Sequence, residues 1–135
     1  MQKNNNFLYA EATPPLSPSF AETLEKVKEQ IDYDCFPSEL LPMANEIAMI
    51  IADVFRMRPT DRIKIDDNMR SVTDVQSVYL NLEHEHIVSV IENFNEIPYR
   101  VKRPRRYLRS MLYTEMFEHE STGENLYSST SGDSV

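Results

Sequence analysis

Glycine is nearly absent from this chain, and that shortage constrains the fold more than any other feature. Among 135 residues there are two glycines, Gly123 and Gly132, and both lie near the C-terminus. Repeated tight turns between strands use residues with positive φ, and a loop that encloses a phosphate needs the close backbone approach that glycine permits. The sequence therefore disfavours all-β folds and nucleotide-binding folds with glycine-rich loops.

The composition of the two ends predicts one folded domain between two tails. The first 18 residues are polar, with three consecutive asparagines and three prolines, and residues 119–135 are rich in Ser, Thr, Glu and Gly. Such segments bury too little apolar surface to offset the entropy that is lost on ordering. We therefore expect residues 1–18 and 119–135 to be disordered tails and residues 19–118 to form a helical domain with one modest core.

Cysteine content and hydropathy indicate the cellular compartment and exclude some kinds of site. The single cysteine, Cys35, rules out an intramolecular disulfide and a thiolate-based zinc site. No apolar run approaches the roughly 18 residues of a membrane span, and the polar N-terminus lacks the apolar region of a signal peptide. The expectation is a cytoplasmic protein.

Apolar residues recur at helical spacing in five stretches, which predicts five helices. The clearest is the second, because Pro42 suits a first helical turn and Pro59 ends the pattern. The predicted helices cover roughly residues 20–31, 42–57, 71–82 and 83–95, and a last one from residue 104 onward.

One short segment has the alternation of a strand. Arg62–Asp66 alternates polar and apolar residues, and Asp66-Asp67-Asn68 has the composition of a turn. If residues 68–71 return alongside, a small hairpin forms that must pack against helices to persist. The predicted fold class is mainly α, a compact bundle of about five helices with a small β-hairpin.

The positive charge of this acidic protein is concentrated in one segment, Tyr99–Phe117, called the basic segment below. The net charge is −8, with eight basic and seventeen acidic residues before residue 99, and with five acids but no Lys or Arg after residue 114. Residues 99–114 carry six cations and no acid: Arg100, Lys102, Arg103, Arg105, Arg106 and Arg109. This cluster favours an anionic partner, either nucleic acid or an acidic protein surface.

The basic segment also has an apolar face and aromatic side chains. Helical spacing relates Leu108, Met111, Leu112 and Met116, so we expect a helix that is anchored by these residues and exposes its cations. The aromatic candidates for recognition are Tyr99, Tyr107 and Tyr113. Rings beside cations suit stacking of single-stranded bases, and they equally suit a protein interface, where Tyr and Arg are enriched. Alternatively, some of the cations only solvate the helix or pair with the acidic helices.

Three other groups of residues do not indicate catalysis or metal binding. His84 and His86 are two positions apart, so on a helix they point in different directions, and we expect a solvated helix start. Cys35 stands in acidic surroundings that disfavour a thiolate, and we expect a partly buried side chain. Asp32 and Asp34 are expected to cap a helix or form a turn. We therefore expect no enzyme activity, no cofactor and no bound metal.

A succession of motifs resembles one known family. The motifs are Ile31–Asp34, the apolar helix Glu46–Val54, the strand Ile63–Ile65, then Val75–Leu82 with His86-Ile87 and Val90-Ile91, and finally Tyr107–Tyr113. From about residue 27 to residue 117, their order and spacing resemble the C-terminal domain of replication initiator A proteins of Gram-positive plasmids and conjugative elements. That domain is similar to the DnaD-type helical domain of primosome proteins, whose last helix carries a Tyr followed four and five residues later by aliphatic residues. Tyr107, Met111 and Leu112 fit this pattern, with Met in place of the usual Ile.

The resemblance implies a DnaD-like fold and a non-enzymatic module in replication initiation. Such a module contacts host primosome proteins, with primase as the expected partner, and leaves room for contact with DNA. Family members carry a winged-helix region before this domain that reads the origin, whereas this chain has a short polar segment there. We therefore expect either an excised domain or a stand-alone protein without origin recognition.

Two alternatives remain open beside this hypothesis. The basic segment could bind single-stranded or duplex DNA directly, although a net charge of −8 argues for weak binding. The chain could also be a stand-alone regulatory protein of a mobile element that occupies the surface of a host protein.

Overall fold

The computed structural model of the protein describes the backbone of residues 18–130 and the side chains of residues 19–117. Over this part it contains α1 (Pro18–Gln30), α2 (Leu41–Phe55), β1 (Arg62–Ile65), β2 (Asn68–Ser71), α3 (Val72–Tyr79), α4 (His84–Asn95) and α5 (Pro104–Thr130). Two short 3-10 turns, Tyr33–Cys35 and Ser38–Leu40, connect α1 to α2. The predicted fold class, mainly α with five helices and a hairpin, is confirmed.

Helical backbone extends into both segments that were predicted to be disordered tails. The predicted N-terminal tail lies outside the described residues except for Pro18, which begins α1. At the other end the helical backbone of α5 continues past residue 118 to Thr130.

The core helix is α2, as its wide apolar stripe predicts. Ile47 and Ile51 are fully buried, and the helix contacts α1, α3, α4 and α5. Burying each of these isoleucines contributes about 1.5–3 kcal/mol before entropy is subtracted. Pro42 stands in the first turn, where its fixed φ suits a helix and its missing N–H costs nothing. The helix ends at Phe55, a few residues before Pro59.

Side chains fix the starts of α3 and α4. Ser71 caps α3, because its Oγ accepts a hydrogen bond from the N–H of Asp74 at 3.2 Å. Glu83 begins α4 with a capping box in which His86 takes the place usually held by Glu or Gln. The Nδ1 atom of His86 accepts a hydrogen bond from the Glu83 N–H at 2.9 Å.

The hairpin reverses direction without a glycine. Its strands pair antiparallel with Ile65 opposite Asn68, and Ile63 and Ile65 are buried. Asp66 has a φ of 56°, in the left-handed region that aspartate tolerates better than most residues. Its N–H donates to the Oγ of Ser110 in α5 at 2.7 Å, which fastens the turn against that helix.

Polar contacts join α1, α3 and α5 through Tyr79. Its ring is fully buried, and its hydroxyl donates to the carbonyl oxygen of Arg109 at 2.7 Å. The Nε2 atom of Gln30 donates to the carbonyl oxygens of Tyr79 and Leu82, at 2.9 and 2.8 Å. Gln30 of α1 therefore provides hydrogen-bond donors to backbone carbonyls at the end of α3, and Tyr79 connects α3 to α5.

Candidate functional site

The apolar face predicted for the basic segment anchors α5 to the bundle. Leu108, Leu112 and Met116 are buried, and Met111 is half-buried. Through them α5 packs on a body formed by α2, α3, α4 and β1. The first turns of α5 are therefore a fixed platform for the cations that they carry.

Arg105 joins α5 to α2. Its Nη1 lies 2.9 Å from Oε1 of Glu46, and its Nη2 lies 3.3 Å from Oδ2 of Asp53. All three side chains are about half exposed or more, so each pair contributes only about 0–1 kcal/mol. One of the six predicted recognition cations is thus held by intramolecular contacts.

A second predicted cation, Arg109, is also used inside the fold. Its Nη2 donates to the carbonyl oxygen of Lys64 at 2.9 Å, and burial lowers the pKa of its guanidinium. Its Nε is buried without a hydrogen-bond partner in the described part of the chain. A pocket of about 420 Å³ is lined by Arg105, Arg106 and Arg109 together with Ile50, Asp53, Val54 and Met57.

Tyr113 lies in the core, which corrects its assignment as a recognition residue. It is 4% exposed, and its hydroxyl donates to Oδ2 of Asp74 at 2.7 Å. The guanidinium of Arg70 lies over its ring, 4.9 Å from the centroid. Burial, together with the contact to Asp74, raises the pKa of Tyr113. Its position in the sequence of α5 is compatible with either an exposed or a buried side chain. Packing against α3 and β2 makes it buried.

The other four cations of the basic segment remain at the surface. These are Arg100, Lys102, Arg103 and Arg106; all four are exposed, and none forms an ion pair with residues 19–117. Arg106 stands in the first turn of α5, and the other three lie on the link that precedes it. The positive end of the helix macrodipole adds to their field.

These four side chains line a groove of about 950 Å³, called the groove below. Half of the circumference of α5 contributes Arg106, Tyr107, Ser110, Met111, Thr114 and Glu115, with Arg106 and Glu115 at its opposite edges. The hairpin adds Lys64, Asp66 and Asp67, α4 adds Asn93, and the link adds Tyr99, Arg100, Val101, Lys102 and Arg103.

The groove therefore has mixed charge, with five cations and three carboxylates among its lining residues. The sequence did not indicate this mixture, because the basic segment itself contains no acid before Glu115. Asp66 and Asp67 come from the hairpin, which the hydrogen bond between Asp66 and Ser110 holds in place across 44 positions of sequence.

Glu115 is the functional candidate that sequence reasoning missed. It is 7% exposed, it lines the groove, and its carboxylate has neither a hydrogen bond nor an ion pair within residues 19–117. The signal that could have found it is its position one turn after Met111 on the side of α5 that faces the groove.

Two of the three predicted tyrosines lie at the groove. Tyr99 is 62% exposed and Tyr107 is 37% exposed. A hydrogen bond between their hydroxyls, together with burial, raises the pKa of Tyr107. The ring of Tyr107 also lies 6.2 Å from that of Phe94 in α4, so one of its sides is packed.

His84 and His86 are packed into the fold, which corrects the expectation of a solvated helix start. Nδ1 of His84 donates to the carbonyl oxygen of Ile31 at 3.0 Å, and its ring centroid lies 4.1 Å from that of Phe36. His86 is buried within the capping box of α4. Among the described residues, no three His, Cys, Asp or Glu side chains are grouped so that they could hold a metal ion.

Cys35 and the neighbouring acids lie in the turns between α1 and α2. Cys35 is exposed, so the expectation of a partly buried side chain is wrong. Asp32 has a φ of 53°, and its carbonyl oxygen accepts a hydrogen bond from the Cys35 N–H at 2.9 Å. This geometry agrees with the predicted turn.

Comparison with known proteins does not assign the chain to a family. No protein-family model matches it, and neither does any curated protein or solved structure. Over the described residues, none of the helices has the length and apolar character that crossing a bilayer requires.

Proposed function

We propose that this protein is a non-enzymatic interaction module that binds an acidic segment of a partner protein in the groove. The observation that carries the proposal is the set of four exposed cations without ion-pair partners among residues 19–117, placed at the start of a well-packed helix. Arg and Tyr are enriched at protein interfaces, and both border the groove.

The resemblance to replication initiator A proteins supplies the biological setting of this proposal. In that setting the chain is a module of a plasmid or mobile-element replication initiator, and its partner is a host primosome protein, with primase as the first to be tested. A stand-alone regulatory protein of a mobile element would use the same groove to occupy a host protein.

The mixed charge of the groove favours a protein partner over nucleic acid. Asp66, Asp67 and Glu115 line it, and their carboxylates repel a phosphate backbone. A protein segment can place side chains of either sign, so it can satisfy the cations without bringing negative charge against these acids.

A second candidate function is weak binding of single-stranded DNA. The exposed rings of Tyr99 and Tyr107 beside Arg103 and Arg106 favour it, because bases stack on aromatic rings while arginine meets phosphate. The net charge of −8 opposes tight binding of any polyanion.

Binding of purified primase from a Gram-positive host tests the proposal. Arg103→Glu/Arg106→Glu reverses two exposed cations and leaves the ion pairs of Arg105 in place, so we expect at least about tenfold weaker binding. Lys26→Glu/Arg56→Glu is the matched control, since it makes the same change in net charge at exposed positions outside the groove.

Titration calorimetry or surface plasmon resonance would provide the affinities. Equal weakening by both double variants, or no weakening by either, would contradict a role for the groove. A native chain that does not bind primase would remove primase from the proposal.

A further inference from the structure

We infer that the partner segment bound in the groove carries one large apolar side chain between its acidic residues, and that this side chain, the anchor, packs in the apolar half of the groove. The apolar half is formed by Tyr99, Val101, Tyr107 and Met111. This inference rests on the proposed function and adds the chemistry of the occupant. It makes a segment of acidic residues alone a poor ligand.

Apolar and polar residues line different sides of the groove. Tyr107 and Met111 are one turn apart on α5, and the ring of Tyr107 lies 6.2 Å from that of Phe94 in α4. Ser110 lies about 60° around the helix from Tyr107. Its Oγ accepts from the N–H of Asp66, so that side of α5 faces the hairpin. The apolar half therefore lies next to α4 and the link, away from the carboxylates of the hairpin.

The apolar half has surface that an occupant can cover. Tyr99 and Tyr107 are exposed, and Val101 and Met111 are half-buried. A hydrogen bond between the two tyrosine hydroxyls holds the rings near each other. Methionine adapts to the shape of a neighbouring apolar group and contacts aromatic rings favourably. An occupant that removes these groups from water therefore gains apolar burial in addition to its ion pairs.

The small contribution of surface ion pairs makes this burial important. An exposed ion pair strengthens binding by about fivefold or less, and salt screens it. The groove offers five cations, and association must first offset the loss of translational and rotational freedom. Full burial of one large apolar side chain strengthens binding by about ten- to a hundredfold. One anchor therefore contributes as much as about two or three exposed pairs.

The link and the start of α5 place cations directly beside the apolar half. Residues 99–103 read Tyr-Arg-Val-Lys-Arg, Arg106 directly precedes Tyr107, and all of them line the groove. Glutamates on either side of an anchor therefore lie close to these cations, and charge complementarity favours an acidic segment over an uncharged apolar one. A central apolar anchor that is surrounded by polar contacts is also the usual arrangement of binding hot spots.

Synthetic peptides test the inference. The anchor peptide has one phenylalanine between two pairs of glutamates, and in the alanine peptide alanine replaces the phenylalanine, so that both peptides carry the same charge. By fluorescence anisotropy, we expect the native chain to bind the anchor peptide at least about tenfold more tightly than the alanine peptide. Raising the salt concentration to about 0.3 M should weaken both peptides and leave this ratio unchanged, because the preference comes from apolar burial.

Variants of the full chain locate the anchor. Tyr99→Ala removes one ring of the apolar half and should reduce the preference for the anchor peptide by at least about threefold, whereas Tyr99→Phe retains the ring and should keep the preference. Leu80→Ala is the matched control, since Leu80 is 65% exposed, as against 62% for Tyr99, and lies outside the groove. Val101→Ser, which leaves the charge unchanged, should also reduce the preference. Thermal melting by circular dichroism checks that each variant is folded.

Each outcome bears on one claim. Equal binding of the two peptides by the native chain, with both weakened by Arg103→Glu/Arg106→Glu, would overturn the anchor and leave the proposed function standing. The same preference in Tyr99→Ala, Val101→Ser and Leu80→Ala would also overturn it, because the phenylalanine would then bind outside the apolar half. Failure of both peptides to bind at millimolar concentration would overturn the inference, and the primase measurement would then decide the proposed function. Tighter binding of a short oligothymidylate than of the anchor peptide would overturn the inference in favour of nucleic acid.

Discussion

Individual residues show how the fold satisfies its buried polar groups. The hydroxyl of Tyr79 donates to the carbonyl oxygen of Arg109, and the Nε2 atom of Gln76 donates to that of Val54 at 2.9 Å. Both side chains bind a backbone carbonyl of another helix, so each ties two elements together. Glu115 differs from them, because no described residue binds its carboxylate. Tyr79 and Gln76 therefore act in the fold.

Burial of Tyr79 predicts a loss of stability at alkaline pH. Burial raises the pKa of its hydroxyl above the value of about 10 that tyrosine has in an unfolded chain. The folded state holds the protonated form, so this stabilisation is fully present below about pH 10 and is lost as the pH rises from the unfolded toward the folded pKa. In that range we expect Tyr79 to lower the free energy of unfolding by about 1.4 kcal/mol per pH unit.

Urea unfolding at about pH 9 and about pH 11 measures this dependence. Tyr79→Phe should show a shallower decrease, and it should cost about 1–3 kcal/mol at neutral pH because the Arg109 carbonyl loses its donor. Tyr33→Phe, at a half-buried position, removes one tyrosine hydroxyl elsewhere and serves as the control. The same slope for the native chain and for Tyr79→Phe would contradict the assignment.

At the scale of elements, local signals in the sequence were sufficient to predict the helices and the hairpin. Pro42 and Ser71 mark two helix starts, and the alternation around Ile63 marks the first strand. Each of these signals acts within one turn or one strand, so the chemistry of neighbouring residues decides it. The anchoring of α5 by Leu108 and Leu112 was predictable for the same reason.

The groove was only partly predictable, because contacts between distant elements complete it. Arg105 meets Glu46 across 59 positions of sequence, and the turn at Asp66 meets Ser110 across 44. Spacing within the basic segment cannot show that Arg105 reaches α2 or that Tyr113 packs on α3. It also cannot show that carboxylates of the hairpin enter the groove. A count of charges along the segment therefore overstated how positive the surface is.

Docking of α5 depends on Leu112, which predicts a large cost for its truncation. The side chain is fully buried, so Leu112→Ala should leave a cavity and lower the free energy of unfolding by about 2–5 kcal/mol. Phe117 lies on the same helix but is 46% exposed, and Phe117→Ala should cost about 1 kcal/mol or less. Urea denaturation followed by circular dichroism compares the two variants. A cost for Leu112→Ala no larger than that for Phe117→Ala would show that α5 is not held by this face.

The whole molecule combines an acidic body with one groove of mixed charge. A net charge of −8 repels a polyanion, and salt at about 0.1 M screens that repulsion beyond about 10 Å. Contacts inside the groove must therefore provide most of the affinity for any anionic partner. Only four cations of the basic segment are free of intramolecular ion pairs and hydrogen bonds within residues 19–117, which limits how many anionic groups can be bound at once.

That limit predicts the salt dependence of any binding to single-stranded DNA. Each phosphate contact on a single strand contributes about −0.7 to the slope of log affinity against log salt, so these four cations and Lys64, which also lines the groove, allow a slope no steeper than about −3.5. Anisotropy of a labelled oligothymidylate across a series of salt concentrations measures it. Arg103→Glu/Arg106→Glu should make the slope shallower by about 1.4, because it removes two of the five cations of the groove, whereas Lys26→Glu/Arg56→Glu should leave it unchanged. A slope much steeper than about −3.5 would mean that more phosphates are bound than the five cations of the groove can meet, and the DNA contact would then extend outside the groove.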